Sequence, residues 1–307
     1  MKVGGPRSTV HRRKRLCVGF LTVVCGLWTV VCGLSAAADD GQPTLSRTLL
    51  YSRLTDGTWQ VWMTELATSE KTQVTFSPGD KRFPAWGPDG QIAYQTSNQQ
   101  AYMIPASGVD DHPVVERLWP VRDLVWSPDG AWLAFSKIRT DLIDAANIWV
   151  VQADGAEPSM LTHEPGLQYH PAWSLDGKKL AYSAGHGYGT YELYVMDADG
   201  TNRRQLTTNT SHEFLPAWSP DGTQIAYSSD ASGDSEIWVM QADGLEPKQL
   251  THSPGLDTRP AWSPDGRHIA FTTNRSGVLE IWVMNADGTD QRPLEQAGSG
   301  VCDPAWR

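Results

Sequence analysis

Pro216-Ala217-Trp218-Ser219-Pro220-Asp221-Gly222 is the stretch on which the reading of this chain turns. It returns upstream as Pro171-Ala172-Trp173-Ser174-Leu175-Asp176-Gly177 and downstream as Pro260-Ala261-Trp262-Ser263-Pro264-Asp265-Gly266. Weaker copies stand at 84–90 and 124–130, and a truncated one, Asp303-Pro304-Ala305-Trp306, closes the chain. The tryptophans Trp86, Trp126, Trp173, Trp218, Trp262 and Trp306 are therefore spaced by 40, 47, 45, 44 and 44 residues. A repeat of about 40 to 50 residues has the length of one four-stranded blade of a β-propeller.

Each unit reads as four strands. Pro-Ala-Trp is a short strand, and Ser-Pro-Asp-Gly is a tight turn in which proline presets φ and glycine accepts a positive one. A second strand follows, such as Gln224-Ile225-Ala226-Tyr227-Ser228, then a polar loop and a third, Glu236-Ile237-Trp238-Val239-Met240. An Ala-Asp-Gly hairpin leads to a fourth strand that ends Gln249-Leu250-Thr251. Two more aromatic positions recur six times each: Tyr51, Tyr94, Phe135, Tyr182, Tyr227 and Phe271 on the second strand, and Trp62, Tyr102, Trp149, Tyr194, Trp238 and Trp282 on the third. At this regularity they are expected in the core between blades, each burying roughly 150 to 250 Å².

The fold expected is all-β: a six-bladed propeller of four-stranded antiparallel blades over residues 48–307. The N-terminal part opens on a second strand, Leu49-Leu50-Tyr51-Ser52, and the C-terminus supplies an isolated first strand. One blade is thus expected to be shared between the termini, so that no sheet edge is left open where the ring joins. Six units consume nearly all of residues 39–307, leaving 39–47 as a short linker and no room for a second domain.

Residues 1–38 read differently. Lys2, Arg7 and Arg12-Arg13-Lys14-Arg15 precede an uncharged apolar stretch from Leu16 to Leu34, followed by Ser35-Ala36-Ala37-Ala38. That order describes an export signal cleaved after Ala38, with an uncleaved membrane anchor as the competing reading. Three of the four cysteines fall in this segment, which leaves Cys302 alone and the rest of the chain without a disulfide. The six basic residues leave with it, so 19 basic face 35 acidic residues, a formal charge of −16. Such a surface repels nucleic acid and anionic lipid. The expected location is periplasmic or secreted.

Nine positions separate the threonine closing each fourth strand from the proline opening the next unit, as in Thr75 to Pro84, Thr162 to Pro171, Thr207 to Pro216 and Thr251 to Pro260. Connections of constant length gather on one face, around the mouth of the central channel. The residue before the proline position varies from unit to unit: Phe83, Asp123, His170, Leu215, Arg259 and Asp303. One step earlier stand Arg82, Arg122, Tyr169, Phe214, Thr258 and Cys302. Arg82, Phe83, Arg122, Asp123, Tyr169, His170, Phe214, Leu215, Arg259 and Asp303 form the expected partner-binding face, since a mixed ring of aromatic and charged side chains suits a peptide or protein.

No catalytic residue, metal ligand or cofactor is assigned. A metal enzyme would need several His, Asp or Glu side chains to converge, and His163, His170, His252, Asp123 and Asp303 are the candidates near this face. His163 and His252 hold the same place in two Leu-Thr-His copies, which repeat duplication explains. Asp197-Ala198-Asp199-Gly200 begins like a calcium loop, but the loop's twelfth position is Thr208 instead of glutamate, so it reads as a hairpin turn. Cys302, beside the closing strand, reads as buried.

The unit Pro-Ala-Trp-Ser-Pro-Asp-Gly, Ile-Ala-Tyr-Ser, Glu-Ile-Trp-Val-Met-x-Ala-Asp-Gly and Gln-Leu-Thr resembles the repeat of the TolB-like propellers, relatives of the WD-repeat propellers, over roughly residues 48–307. The resemblance implies an exported binding module of the bacterial cell envelope whose partner is an envelope protein or peptide, a lipoprotein among the candidates. It implies no nucleic acid and a monomer, with membrane contact only through an uncleaved N-terminal anchor. The α/β domain that precedes the propeller in TolB itself is not expected here. The alternative is a metal-dependent hydrolase or lyase with its site in the channel, lactonase-like or a propeller lyase.

Overall fold

A computed structural model describes Met1 and residues 48–307, except 88–89, 115–119, 140–144, 186–188 and 295–299. The expected export segment and the 39–47 linker lie outside the described residues, apart from Met1. The chain divides into Met1–Pro43 and Thr44–Arg307, and the second unit holds every strand. Among the described residues no helix is long and apolar enough to cross a membrane.

The fold is an all-β propeller of small antiparallel sheets. Four sheets have four strands each, for example Glu213–Trp218, Gln224–Ser229, Glu236–Gln241 and Lys248–Gln249. In another, the C-terminal strand Val301–Trp306 lies beside the N-terminal strand Thr48–Thr55, which continues through Thr58–Glu65 to Glu70–Gln73. The sequence predicts six separate sheets, and the hydrogen bonds make five. The units 121–160 and 167–205 are joined into one eight-stranded sheet by a single parallel bridge, Ala146 to Leu167.

Inside each unit the two aromatic positions face each other across adjacent strands: Tyr51 with Trp62, Tyr94 with Tyr102, Phe135 with Trp149, Tyr182 with Tyr194, Tyr227 with Trp238, and Phe271 with Trp282. The second-strand members are all buried, as expected of core. The third-strand members are only half-buried, and cations cover several of them: Arg203 lies 4.2 Å from the Tyr194 ring, Arg275 4.3 Å from Trp282 and Lys137 4.8 Å from Trp149. Guanidinium and ammonium groups over a ring face shield apolar surface while keeping their charge near water.

The threonine of each Leu-Thr or Val-Thr has a specific task. Its hydroxyl accepts the N–H of a third-strand residue: Thr75 that of Val61, Thr162 that of Ile148, Thr207 that of Leu193 and Thr251 that of Ile237, all at 2.8 or 2.9 Å. Each of these fourth strands ends two residues before the threonine, which leaves that N–H without a ladder partner, and a buried N–H must find one. The Ser-Pro-Asp-Gly turns are closed by the serine hydroxyl donating to the aspartate, as in Ser219 to Asp221 at 2.6 Å, with Gly222 at φ +71°. The Asp197–Gly200 segment is a hairpin turn, as read, with the Gly200 N–H on the Asp197 carbonyl at 2.9 Å.

Candidate functional site

The proline positions do not open their strands. Each first strand begins three or four residues earlier, at Lys81, Val121, Leu167, Glu213, Asp257 and Val301, so the residues read as loop lie within strands. The register shifts there: in every unit two residues, such as Phe83 and Pro84, stand opposite one buried second-strand aromatic, here Tyr94. The same two-against-one bulge recurs at Asp123-Leu124, His170-Pro171, Leu215-Pro216, Arg259-Pro260 and Asp303-Pro304. Proline is tolerated inside a strand at a bulge, where no ladder donor is needed, as well as at the first residue.

The residue before each proline position is left-handed in every unit, with φ of +55° at Phe83, Asp123 and His170, +56° at Leu215 and Arg259, and +59° at Asp303. None is glycine, and the conformation costs a bulky side chain about 1 to 2 kcal/mol. Hydroxyls of the preceding unit hold the bulges in place. Ser136 accepts the N–H of His170 at 3.2 Å, Ser228 that of Arg259 at 3.2 Å, and Thr272 that of Asp303 at 3.1 Å. This repeated role for the residue after the second-strand aromatic was readable as a run of Ser and Thr.

All ten residues expected at the mouth meet there. Arg82, Phe83, Arg122, Asp123, Tyr169, His170, Phe214 and Arg259 line a cavity of about 820 Å³. Leu215 and Asp303 line a narrower one of about 400 Å³, together with Phe83, Asp123, His170 and Arg259. The channel then runs past Ala85, Ala172, Ala217, Ala261 and Ala305 toward a third space of about 340 Å³, walled by all six repeat tryptophans.

Charge is concentrated on one side of the mouth. Asp303, its side chain 3% exposed, meets Arg82 Nη2 at 3.2 Å and Arg259 Nε at 3.0 Å. Both guanidiniums also lie on the ring of Phe83, at 4.8 and 4.5 Å, and Arg82 lies 4.7 Å from Trp59. Asp123 accepts the Ser136 hydroxyl at 2.9 Å and the His170 N–H at 3.3 Å. His170 is half-buried where it lines both cavities, and desolvation holds its pKa below the usual imidazole range, with Arg259 and Arg122 adding to the effect and Asp123 opposing it. Cys302 is buried between Arg82 Nη2 (3.1 Å) and Asp303 (3.3 Å), and burial pushes its thiol up, out of the reactive range.

Tyr191, His212, Asp230 and Ser235 also line the wide cavity: Asp230 and Ser235 come from a connection between second and third strands, Tyr191 opens a third strand, and His212 immediately precedes the first strand Glu213–Trp218. In an antiparallel unit the end of the second strand and the start of the third lie on the same face as the start of the first, a signal present in the strand order. Tyr191 lies 6.4 Å from Tyr169 and 5.9 Å from His212, ring centre to ring centre, so an aromatic arc forms beside His170. His163 and His252 are exposed and line none of these spaces. Among the described residues no three His, Cys, Asp or Glu side chains are grouped to hold a metal ion.

Fold and cavity define a β-propeller that gathers variable side chains at one mouth of a central channel. The chain belongs to the TolB beta propeller domain family, whose model matches residues 147–307. It is similar to the Tol-Pal system protein TolB of Anaeromyxobacter dehalogenans strain 2CP-1, 30% identical over 121 residues, or 38% of this chain. That match spans only 27% of the relative's length. Its fold is like that of TolB from Acinetobacter baumannii, with a TM-score of 0.74 at 21% identity over 85% of this chain and 67% of that one. It is also like that of an oligogalacturonate lyase in complex with manganese, with a TM-score of 0.60 at 20% identity over 80% and 73%.

Proposed function

We propose that this chain is an exported, non-enzymatic, six-bladed propeller that binds an envelope protein or peptide at the channel mouth. The eight-stranded sheet counts as two blades in this reading, since one parallel bridge is all that joins its halves. The observation that carries the proposal is the gathering of six non-repeating, left-handed residues around one opening, on bulges held by the neighbouring unit. A rigid ring that spends about 1 to 2 kcal/mol per bulge on aiming variable side chains inward is suited to presenting a recognition surface. Likeness to a protein named for the Tol-Pal system supports an envelope partner, a lipoprotein among the candidates, and a periplasmic location. The monomer and the cleaved signal are parts of the same proposal.

The enzymatic alternative draws on likeness of fold to the lyase, which the family's members of other function share without sharing chemistry. The test is a crosslinked pull-down from envelope fractions with the full chain as bait, beside a variant carrying Asp123→Ala, His170→Ala and Arg259→Ala. A specific partner captured by the parent and lost by the folded variant supports the proposal. Capture that is indifferent to the three changes, or turnover of an acidic oligosaccharide or lactone, overturns it.

A further inference from the structure

The guanidinium groups at the mouth are only partly neutralised. Asp303 is shared between Arg82 and Arg259, and Arg259 spends only its Nε on it. Among the described residues no hydrogen bond engages the two terminal amino groups of Arg259, although its plane is fixed by Phe83 at 4.5 Å. Arg122 is exposed and makes no hydrogen bond or ion pair among the described residues. The carboxylates nearby keep their charge but spend hydrogen-bonding capacity on other donors. Asp123 holds Ser136 and the His170 N–H, while Asp80 and Asp230 accept the backbone N–H groups of Trp59 and His212 at 2.9 and 2.7 Å.

The placement of these donors around the ring matters. Following the chain from unit to unit, Arg122 comes first, then Tyr169 and Tyr191, then Phe214, then Arg259, all lining the same cavity. An aromatic arc is therefore flanked on each side by a guanidinium with donors to spare. Guanidinium pairs with carboxylate through charge-assisted, often bidentate hydrogen bonds, and tyrosine and phenylalanine rings offer rigid apolar contact area. Asp80, Asp123 and Asp230 line the same cavity as Arg82, Arg122 and Arg259, so the guanidiniums would act through their free donors and not through a net positive field.

We propose that the mouth takes a carboxylate carried next to an apolar or aromatic group, with Arg122 and Arg259 as the donors to the anion. This rests on reading the mouth as the partner site and adds the chemistry of what enters it. An acidic side chain and a free chain end present the same group.

The experiment is a ligand-observed NMR titration of the full chain with four probes: N-acetylphenylalanine, its amide, N-acetyl-glutamyl-phenylalaninamide and N-acetyl-glutaminyl-phenylalaninamide. The expected result is that an acid probe binds about tenfold tighter than its amide partner, one good charge-assisted contact being worth about that much. Which acid wins separates the chain end from the side chain. Arg122→Gln, at an exposed position that should not disturb folding, is expected to remove most of that preference, and Arg122→Lys to retain part of it. Equal binding of acids and amides, no binding of any probe, or an undiminished preference in Arg122→Gln overturns the inference. A partner whose capture depends on the mouth, but with which the acid probes do not compete, overturns this inference alone. Capture indifferent to the mouth overturns the reading beneath it.

Discussion

Asp303 and Arg82 lie 221 positions apart in sequence and meet at 3.2 Å, joining the C-terminal strand Val301–Trp306 to the strand Lys81–Trp86. With Arg259 on its other oxygen, the same carboxylate ties three successive first strands together at the mouth. Asp303→Asn is expected to destabilise the chain by about 1 to 3 kcal/mol, less than a fully buried pair because both arginines keep some solvent contact. Urea denaturation measures this. Hydrogen exchange should show the loss concentrated in Thr48–Thr55, the strand beside it. An unchanged midpoint would mean that backbone pairing alone closes the ring.

Leu215 is the bulkiest aliphatic side chain among the left-handed bulge residues, at φ +56°. Branching at Cβ makes that region far less accessible than it is to leucine. Leu215→Val is expected to cost about 1 to 2 kcal/mol more than Leu215→Gly, although valine keeps more apolar surface. Thermal unfolding of both variants decides, and the reverse order would show that packing in the channel dominates over backbone strain.

Thr251 is fully buried, accepts the Ile237 N–H at 2.8 Å and donates to Glu236 Oε2 at 2.5 Å. Thr251→Val keeps the shape and removes both bonds, leaving a buried N–H and a buried carboxyl unsatisfied. A loss of about 1 to 3 kcal/mol is expected from chemical denaturation. The exposed neighbour His252 supplies the control, since His252→Ala should change stability little.

Two seams between successive units carry buried acids in pairs, Glu192 with Glu213 and Glu236 with Asp257. Burial, with Glu192 beside it, pushes Glu213 up to about 7 against hydrogen bonds from Asn209 and Ser229. Burial, with Asp257 beside it, does the same to Glu236, also to about 7, against Thr251 and Arg275. An acid whose folded pKa lies above its unfolded one holds more protons when folded, so stability falls as pH rises between the two values. The melting temperature is therefore expected to decline from about pH 4.5 to about pH 7 through these two groups. The double variant Glu213→Gln, Glu236→Gln should flatten that slope. A wild-type profile unaffected by the double change would assign the decline to other groups.

The repeat made the fold legible because each unit writes its own punctuation. Tryptophan spacing gave the blade, glycine the turns, and the facing aromatics of strands two and three the core. The mouth residues were also legible, as positions where an otherwise regular repeat stops repeating. Their conformation was not. Proline is compatible with the first residue of a strand and with a bulge, and only pairing to a neighbour distinguishes the two, because the bulge exists in the register and not in the residue. Tyr191 was missed for a related reason, since it opens a third strand and arrives at the same face through the antiparallel return, whereas His212 lies in the Thr207-to-Pro216 connection, four positions before the proline and outside the two positions whose variation stood out.

By itself, then, the sequence determined an all-β propeller of repeated units with its variable side chains on one face, since periodicity and turn chemistry are local properties. Only the tertiary structure decided that Asp303 would serve Arg82 and Arg259 together, that Arg122 would be left without a partner among the described residues, and that Glu213 would share a seam with Glu192. Those relationships depend on which side chains the closed ring brings within a few ångströms, and neither charge nor spacing along the chain encodes that distance.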